Sequence, residues 1–279
     1  MDKRVRKDKT PTIDVDELAA ELYRAERDCR PIRPLTERHP GLSLAEAYRI
    51  QQINIDRRLA RGERIIGHKI GLTARAMQVK FGVDEPDYGH LLDTMWLDGR
   101  RALDMSELID PQIEVEPAFV LGADLAGPGV TIDDVLAATD YISVCFEVID
   151  SRIVDWRIVL QDTVADNGSS ARVLLGAERM SPRGLPLEDM ETELEIDGRI
   201  VETGNTGAIL DHPANGVAWL ANAVARFGVG LKAGHVVLPG TCTRSCRING
   251  HREVKGRIAG LGEVRLALAG QPFARTTEN

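Results

Sequence analysis

Glu114 and Glu116 stand two residues apart in PQIEVEPAFVLG (111–122), a stretch that otherwise reads as a buried strand. Strand side chains two apart share a face, with Cα atoms roughly 6.5–7 Å apart. Ile113, Val115, Ala118, Phe119, Val120 and Leu121 make a nearly continuous apolar run, the pattern of a strand covered on both sides rather than one facing water. Two carboxylates there repel and lose hydration, so the pair requires a cation or a proton. Glu147, among Val144, Phe146, Val148 and Ile149 in YISVCFEVID, is a third acid in a core strand. Neighbouring strands lie roughly 4.8 Å apart, so Glu147 can complete a three-oxygen set; an ion pair with Arg152 or Arg157 is the alternative. Oxygen-only ligation suits a hard cation, Mg²⁺ or Mn²⁺, with the remaining positions left to water or substrate.

Lys69 lies between two glycines in the apolar run RIIGHKIGLT. Its stem can snorkel to water, or its ammonium can partner the acids and move protons, because desolvation lowers a lysine pKa and carboxylates raise it. His68 points to the other face of a regular strand and reads as structural. DEPDYG (84–89) is a turn by composition, from which Asp87 can reach a site. QDTVADNGSSARV ends in an Asn-Gly turn and offers Asp166, Asn167 and Ser169 as polar candidates. LPGTCTRSC follows a short apolar strand, so Gly240 to Arg244 is expected as a loop at a strand end, where binding residues gather. Thr241 and Arg244 are its candidates. GLG at 260–262 lacks the third glycine and following helix of a dinucleotide loop.

These side chains need a frame. DVDELAAELYRAERD (14–28) predicts a helix capped by Asp14, and SLAEAYRIQQINIDRRLARG (43–62) a second with a capping box at Ser43 and Glu46 and a stop at Gly62. With the Pro-rich link RPIRPLTERHPG they form a helical N-terminal segment, 1–63. From Arg64 onward, short apolar runs broken by Gly, Pro and Asp predict a β-rich domain, 64–279, in which the candidate catalytic residues fall. Helices interrupt it at 131–138 and, capped by Asp211, at 212–227. The class is α+β, dominated by a coiled sheet or barrel.

The chain has 279 residues, 43% hydrophobic and 28% charged, with formal net charge −8. That balance makes nucleic acid and anionic membranes poor partners. MDKRVRKDKTP has no apolar segment of a secretory signal, and no run is long enough to span a bilayer, so a cytoplasmic protein is expected. Cys29 and Cys145 are isolated, and Cys242 and Cys246 lack a second pair at zinc spacing, which predicts reduced thiols.

Long motifs in order give these residues a context. From AEAYRIQ through GHKIGLTARAMQ, GVDEPDYGHLLD, PQIEVEPAFVL, DTVADNGSS and HPANGVAWLAN to GLGEVRLAL, the chain resembles the 2-oxopent-4-enoate and 2-oxohept-4-ene-1,7-dioate hydratases of aromatic meta-cleavage pathways, in the fumarylacetoacetate hydrolase superfamily. The resemblance implies a mixed β-roll with a small helical N-terminal part, assembled as a homo-oligomer. It implies metal ligands at Glu114, Glu116 and Glu147, an active-site lysine at Lys69, a loop aspartate at Asp87 and a polar serine at Ser169. It further implies a 2-oxo or 2-hydroxy acid substrate, to which water is added. Two departures stand out: Gly168 where relatives carry alanine, which would loosen the turn presenting Ser169, and CRINGHREVKGRIAGLGEV, which lacks a Pro-Gly-Asp turn and has Glu263 where serine is common. A 1,7-dioate would find in Arg244 a two-point partner for its second carboxylate, unless that arginine pairs with a surface acid or a neighbouring subunit. 4-Oxalocrotonate decarboxylase is the nearest alternative activity, and a catalytically silent partner subunit the alternative of another class. The His/Glu water-activating pair of the C–C bond hydrolases has no counterpart placed here.

Overall fold

A computed structural model describes residues 13–75, 78–79 and 82–272. The charged stretch MDKRVRKDKTP lies outside those residues, as do Ala76 and Met77 of the TARAMQ run.

Three helices open the chain: α1 (Val15–Arg27), α2 (Leu35–Arg38) and α3 (Leu44–Leu59). The Asp14 carboxylate accepts the Glu17 N–H, and Ser43 and Glu46 make both halves of the capping box, satisfying donors that a helix start leaves free. The Pro-rich link contributes α2, pinned where the Thr36 N–H and hydroxyl both donate to Asp162, at 3.1 and 2.7 Å. Leu18, Leu22, Ala47 and Ile50 pack with Ile153, Val164 and Ala165, so the N-terminal helices share a core with a segment far along the chain. Gln51 of α3 donates to the carbonyls of Tyr88 and Val164, tying two walls of the site to that helix.

The strands are β1 (Ile65–Gly71), β2 (Asp87–Leu92), β3 (Leu103–Asp104), β4 (Gln112–Leu121), β5 (Thr139–Ile149), β6 (Ser170–Leu175), β7 (Glu191–Ile196), β8 (Arg199–Asn205), β9 (Val236–Leu238), β10 (Cys246–Arg247), β11 (Glu253–Ile258) and β12 (Gly262–Ala269). One curled sheet runs β2-β1-β9-β4-β5-β6 with β10 on β4; the second runs β3-β12-β11-β7-β8. Period two divides β4 and β5 cleanly. Ile113, Val115, Phe119, Val144, Phe146 and Val148 join the large core with Leu194, Val254 and Leu266 of the second sheet. Glu114, Glu116 and Glu147 alternate with these residues and so belong to the other face. The mixed helical and strand architecture expected from the sequence is the one observed, a half-barrel sheet with a helical N-terminal part.

Several local expectations need correction. The turn at 84–89 ends at Pro86: Asp87 already begins β2, whose residues are all buried. The helix near 212 is Pro213–Ala225, and its cap is His212, whose Nδ1 accepts the Ala214 N–H; Asp211 sits at φ +67, outside cap geometry. QDTVA is a helical turn, Leu160–Ala165, before the tight turn at 167–169. EVKGRI, for which the sequence offered no strand expectation, is strand β11: the exposed Glu253 and Arg257 and the half-buried Lys255 mask the period of Val254 and Ile258.

Candidate metal and active site

Antiparallel pairing sets Glu114 opposite Glu147, and Glu116 opposite Cys145. One carboxylate oxygen from each glutamate lies within 4.8 Å of the other two. Glu116 and Glu147 are fully buried, while Glu114 lines a pocket of about 320 Å³. The Gly240 N–H, on the loop after β9, donates to Glu116 Oε2 at 2.8 Å. Glu116 Oε1 and both oxygens of Glu147 have no hydrogen-bond partner. Burial pushes the Glu114 carboxyl up to about 7, with Glu147 adding to it. Glu116 is driven well above the carboxylate range by burial and by the same neighbours, and burial also raises Glu147. Orphaned, converging oxygens of this kind fit a hard divalent cation, which supplies the missing partner and the missing charge.

Lys69 of β1 reaches the same place. Its Nζ lies 3.6 Å from Glu147 Oε1 and donates to the Gly168 carbonyl at 3.0 Å. Burial alone would lower its pKa; Glu147, Asp87, Glu114 and Glu116 outweigh that and hold it above its ordinary value. The structure thus selects the buried, acid-partnered placement for Lys69 and not the snorkelling one, and leaves Arg152 to Asp166 and Arg157 to Glu37. Asp87 pairs in register with Gly71, and Lys69 with Gly89, so Lys69 and Asp87 are diagonal neighbours on one face. A Cβ at position 71 would stand 2.1 Å from Asp87 Oδ1, so only glycine admits that carboxylate. Burial raises the Asp87 pKa, with Lys69 opposing.

Ser169 is buried, lines the pocket, and donates from its hydroxyl to Asp166 Oδ2 at 3.1 Å. It ends a turn in which Asn167, Gly168 and Ser169 all have left-handed φ of 56–62°. Asn167 is structural: its side chain exchanges two hydrogen bonds with the His90 backbone of β2. Beneath, the buried Arg152–Asp166 ion pair (2.6 Å) holds the start of the turn. His68 lies buried beside His90 and His235, away from the acids, as its strand position implies.

Thr241 lines the pocket; Arg244 does not. The Arg244 side chain is 84% exposed and bound to Glu202 at 2.5 Å, so the expectation that it reads the substrate's far end is corrected in favour of a surface ion pair. Gln112, Ile149, Trp156, Ile158 and Thr163 also line the pocket and carry no chemical signature in the sequence. Gln112 and Ile149 are recoverable only from register, as the next rung beyond Glu114 and Glu147 on the same face. A larger cavity of about 530 Å³ between helices and sheet has Arg58, Arg152 and Arg172 each paired to an acid and, among the described residues, holds no convergent set of orphaned groups.

Residues 94–269 match the family model described as fumarylacetoacetate (FAA) hydrolase C-terminal. A 2-hydroxypent-2,4-dienoate hydratase of Pseudomonas putida is 47% identical over 216 residues, 77% of this chain and 97% of that protein. A 2-oxo-hept-4-ene-1,7-dioate hydratase of Escherichia coli is 40% identical, over 81% of this chain and 87% of its own. Among solved structures, 4-oxalocrotonate decarboxylase from Pseudomonas putida G7, complexed with magnesium and adipate, superposes with TM-score 0.88 at 35% identity, covering 93% of this chain and all of that one. The chain therefore belongs to the fumarylacetoacetate hydrolase family, as its motifs suggested, and is an enzyme of the family's hydro-lyase branch.

Proposed function

We propose that the protein hydrates a 2-hydroxy-2,4-dienoate to a 4-hydroxy-2-oxo acid in aromatic catabolism. The observation that carries this reading is the convergence of three glutamates, two of them with orphaned oxygens, beside Lys69, in a chain 47% identical to a dienoate hydratase. Glu114, Glu116 and Glu147 would hold one divalent ion, Mg²⁺ or Mn²⁺, and the Gly240 N–H fixes the rotamer of Glu116. When bound, that ion supplies Lewis acidity toward the carboxylate and 2-oxygen of the substrate.

The reaction itself is a sequence of proton movements. Ketonisation takes the proton from the 2-hydroxyl and delivers one to C5; water then adds at C4 while C3 gains a proton. Lys69 and Asp87, diagonal neighbours at the pocket wall, form the proton-carrying pair. Glu147, Asp87, Glu114 and Glu116 hold Lys69 above its ordinary value, and an ion held by the three glutamates would offset part of that influence. Ser169, oriented by Asp166, and Thr241 offer neutral hydrogen bonds to the substrate head.

The structural match to a decarboxylase supports a second reading, loss of CO₂ from a related oxo acid over the same residues. Following the dienol chromophore while measuring released CO₂ separates the two. Chromophore loss with a 4-hydroxy-2-oxo acid and no CO₂ is the expected result. Homo-oligomeric assembly and a cytoplasmic location belong to the same proposal; a monomeric mass in solution would remove the first. Among the described residues, no helix is long and apolar enough to cross a membrane.

A further inference from the structure

The hydratase reading, on which this inference rests, leaves the far end of the substrate open. Along β4 and β5, the rung of Glu114 and Glu147 is followed two residues on by Gln112 opposite Ile149. Residues two apart share a face, so this second rung continues the acid face by about 7 Å. Both side chains line the pocket. Two residues further along the same strand direction, the Asp110 carbonyl accepts the Trp156 indole N–H at 3.0 Å. Asp155 and Trp156 hold φ of +59 and +56, consecutive left-handed residues in a region that bulky side chains rarely adopt. The indole bond and the Arg157 N–H to Val154 carbonyl bond keep them there, with the ring lining the pocket beside Ile158.

No cation free of an acid partner lines this end among the described residues. Lys69 is the one cation among the described residues lining the pocket, and it sits at Glu147. The arginines nearby are each held by an acid: Arg244 by Glu202, Arg157 by Glu37, Arg152 by Asp166, and Arg247, which stands opposite Gln112 in register at the rim of this end, by Asp110. A second carboxylate placed here would lose hydration and gain no counter-charge, whereas an alkyl group leaves water favourably. The geometry points to a neutral tail seat, in which Ile149, Trp156 and Ile158 with Gln112 receive an uncharged alkyl end. The enzyme then selects 2-hydroxy-2,4-dienoates with a short alkyl tail over homologues ending in a second carboxylate.

Binding of unreactive analogues tests the seat without turnover. Calorimetric titration of the Mg²⁺-loaded protein with pyruvate, 2-oxohexanoate and 2-oxoadipate compares no tail, a neutral tail and a charged one. Wild type should bind 2-oxohexanoate about tenfold or more tightly than 2-oxoadipate, the scale of a hydrophobic pocket's discrimination. Trp156→Ala should narrow the preference for 2-oxohexanoate over pyruvate by about tenfold. Gln112→Arg should reverse the order of the neutral and charged tails, an outcome that loss of structure cannot mimic and that stands if the tryptophan variant fails to fold. Equal or tighter binding of 2-oxoadipate by wild type, or an order unchanged in Gln112→Arg, overturns the seat. Turnover of 2-hydroxyhexa-2,4-dienoate, measured alongside, reports on the parent reading: no turnover with the tail preference intact supports the seat and rejects hydration.

Discussion

Glu116 carries one oxygen held by a backbone N–H and one left without a partner, and its conversion to glutamine separates shape from charge. Glu116→Gln should weaken Mg²⁺ binding and turnover together by at least about 10²-fold, since even outer partners of metal ligands are worth 10–100-fold. Metal titration and steady-state rates check this, and unchanged turnover after exhaustive chelation would sink the ligand assignment. Lys69→Met keeps the stem and deletes the ammonium, so kcat should fall by about 10²-fold or more, the scale of a positioned acid or base. A fall below about threefold would leave Lys69 with a packing role. The acids also set a pH dependence. The folded pKa of Glu114, about 7, lies above its unfolded value, so without a cation its stabilising contribution is full below the unfolded pKa and is lost as pH rises through about 7. A cation requires the ionised form and reverses this penalty. At fixed Mg²⁺, the rise in Tm over chelated protein should be larger near about pH 8 than near about pH 6, and equal shifts would count against the site.

At the scale of elements, the turn 166–169 is where sequence and structure part most usefully. Glycine at 168 reads in sequence as a loosening of the turn that presents Ser169. In the structure its φ is +62, and a Cβ there would stand 3.0 Å from Lys69 Cδ. Glycine thus relieves the middle of a left-handed run and leaves room for the lysine. Gly168→Ala should cost about 1–2 kcal/mol of stability, the left-handed penalty of an L-residue, and should lower kcat by displacing Lys69. Denaturant unfolding and rate measurements check the two effects; a neutral or stabilising substitution would restore the loosening view. The strands β4 and β5 were legible because charged residues interrupt long apolar runs, a conflict that burial makes informative. β11 and the start of β2 were not, because alternating charges mask the apolar period and a Pro-Gly composition imitates a turn. Arg244 misled for a related reason: loop position identifies a residue that can reach a site, but only the fold supplies Glu202 as the nearer partner.

Across the whole molecule, the helical N-terminal part and the curled sheet act together: Gln51 of α3 holds β2 and the carbonyl of Val164, while the second sheet covers the apolar face that alternates with the acids. Family and class followed from motif order. The neutral end of the pocket did not, since Ile149, Trp156 and Ile158 are ordinary hydrophobic residues until register and a left-handed turn bring them to one wall. The central claim, dienoate hydration over a three-glutamate cation site, is tested most directly by one assay: the decay of the 2-hydroxypenta-2,4-dienoate chromophore by purified protein, with and without Mg²⁺, with product identified and CO₂ measured. Rapid Mg²⁺-dependent decay to 4-hydroxy-2-oxopentanoate without CO₂ is the predicted result; undiminished decay after complete chelation, or no decay with Mg²⁺ or Mn²⁺ present, would contradict it.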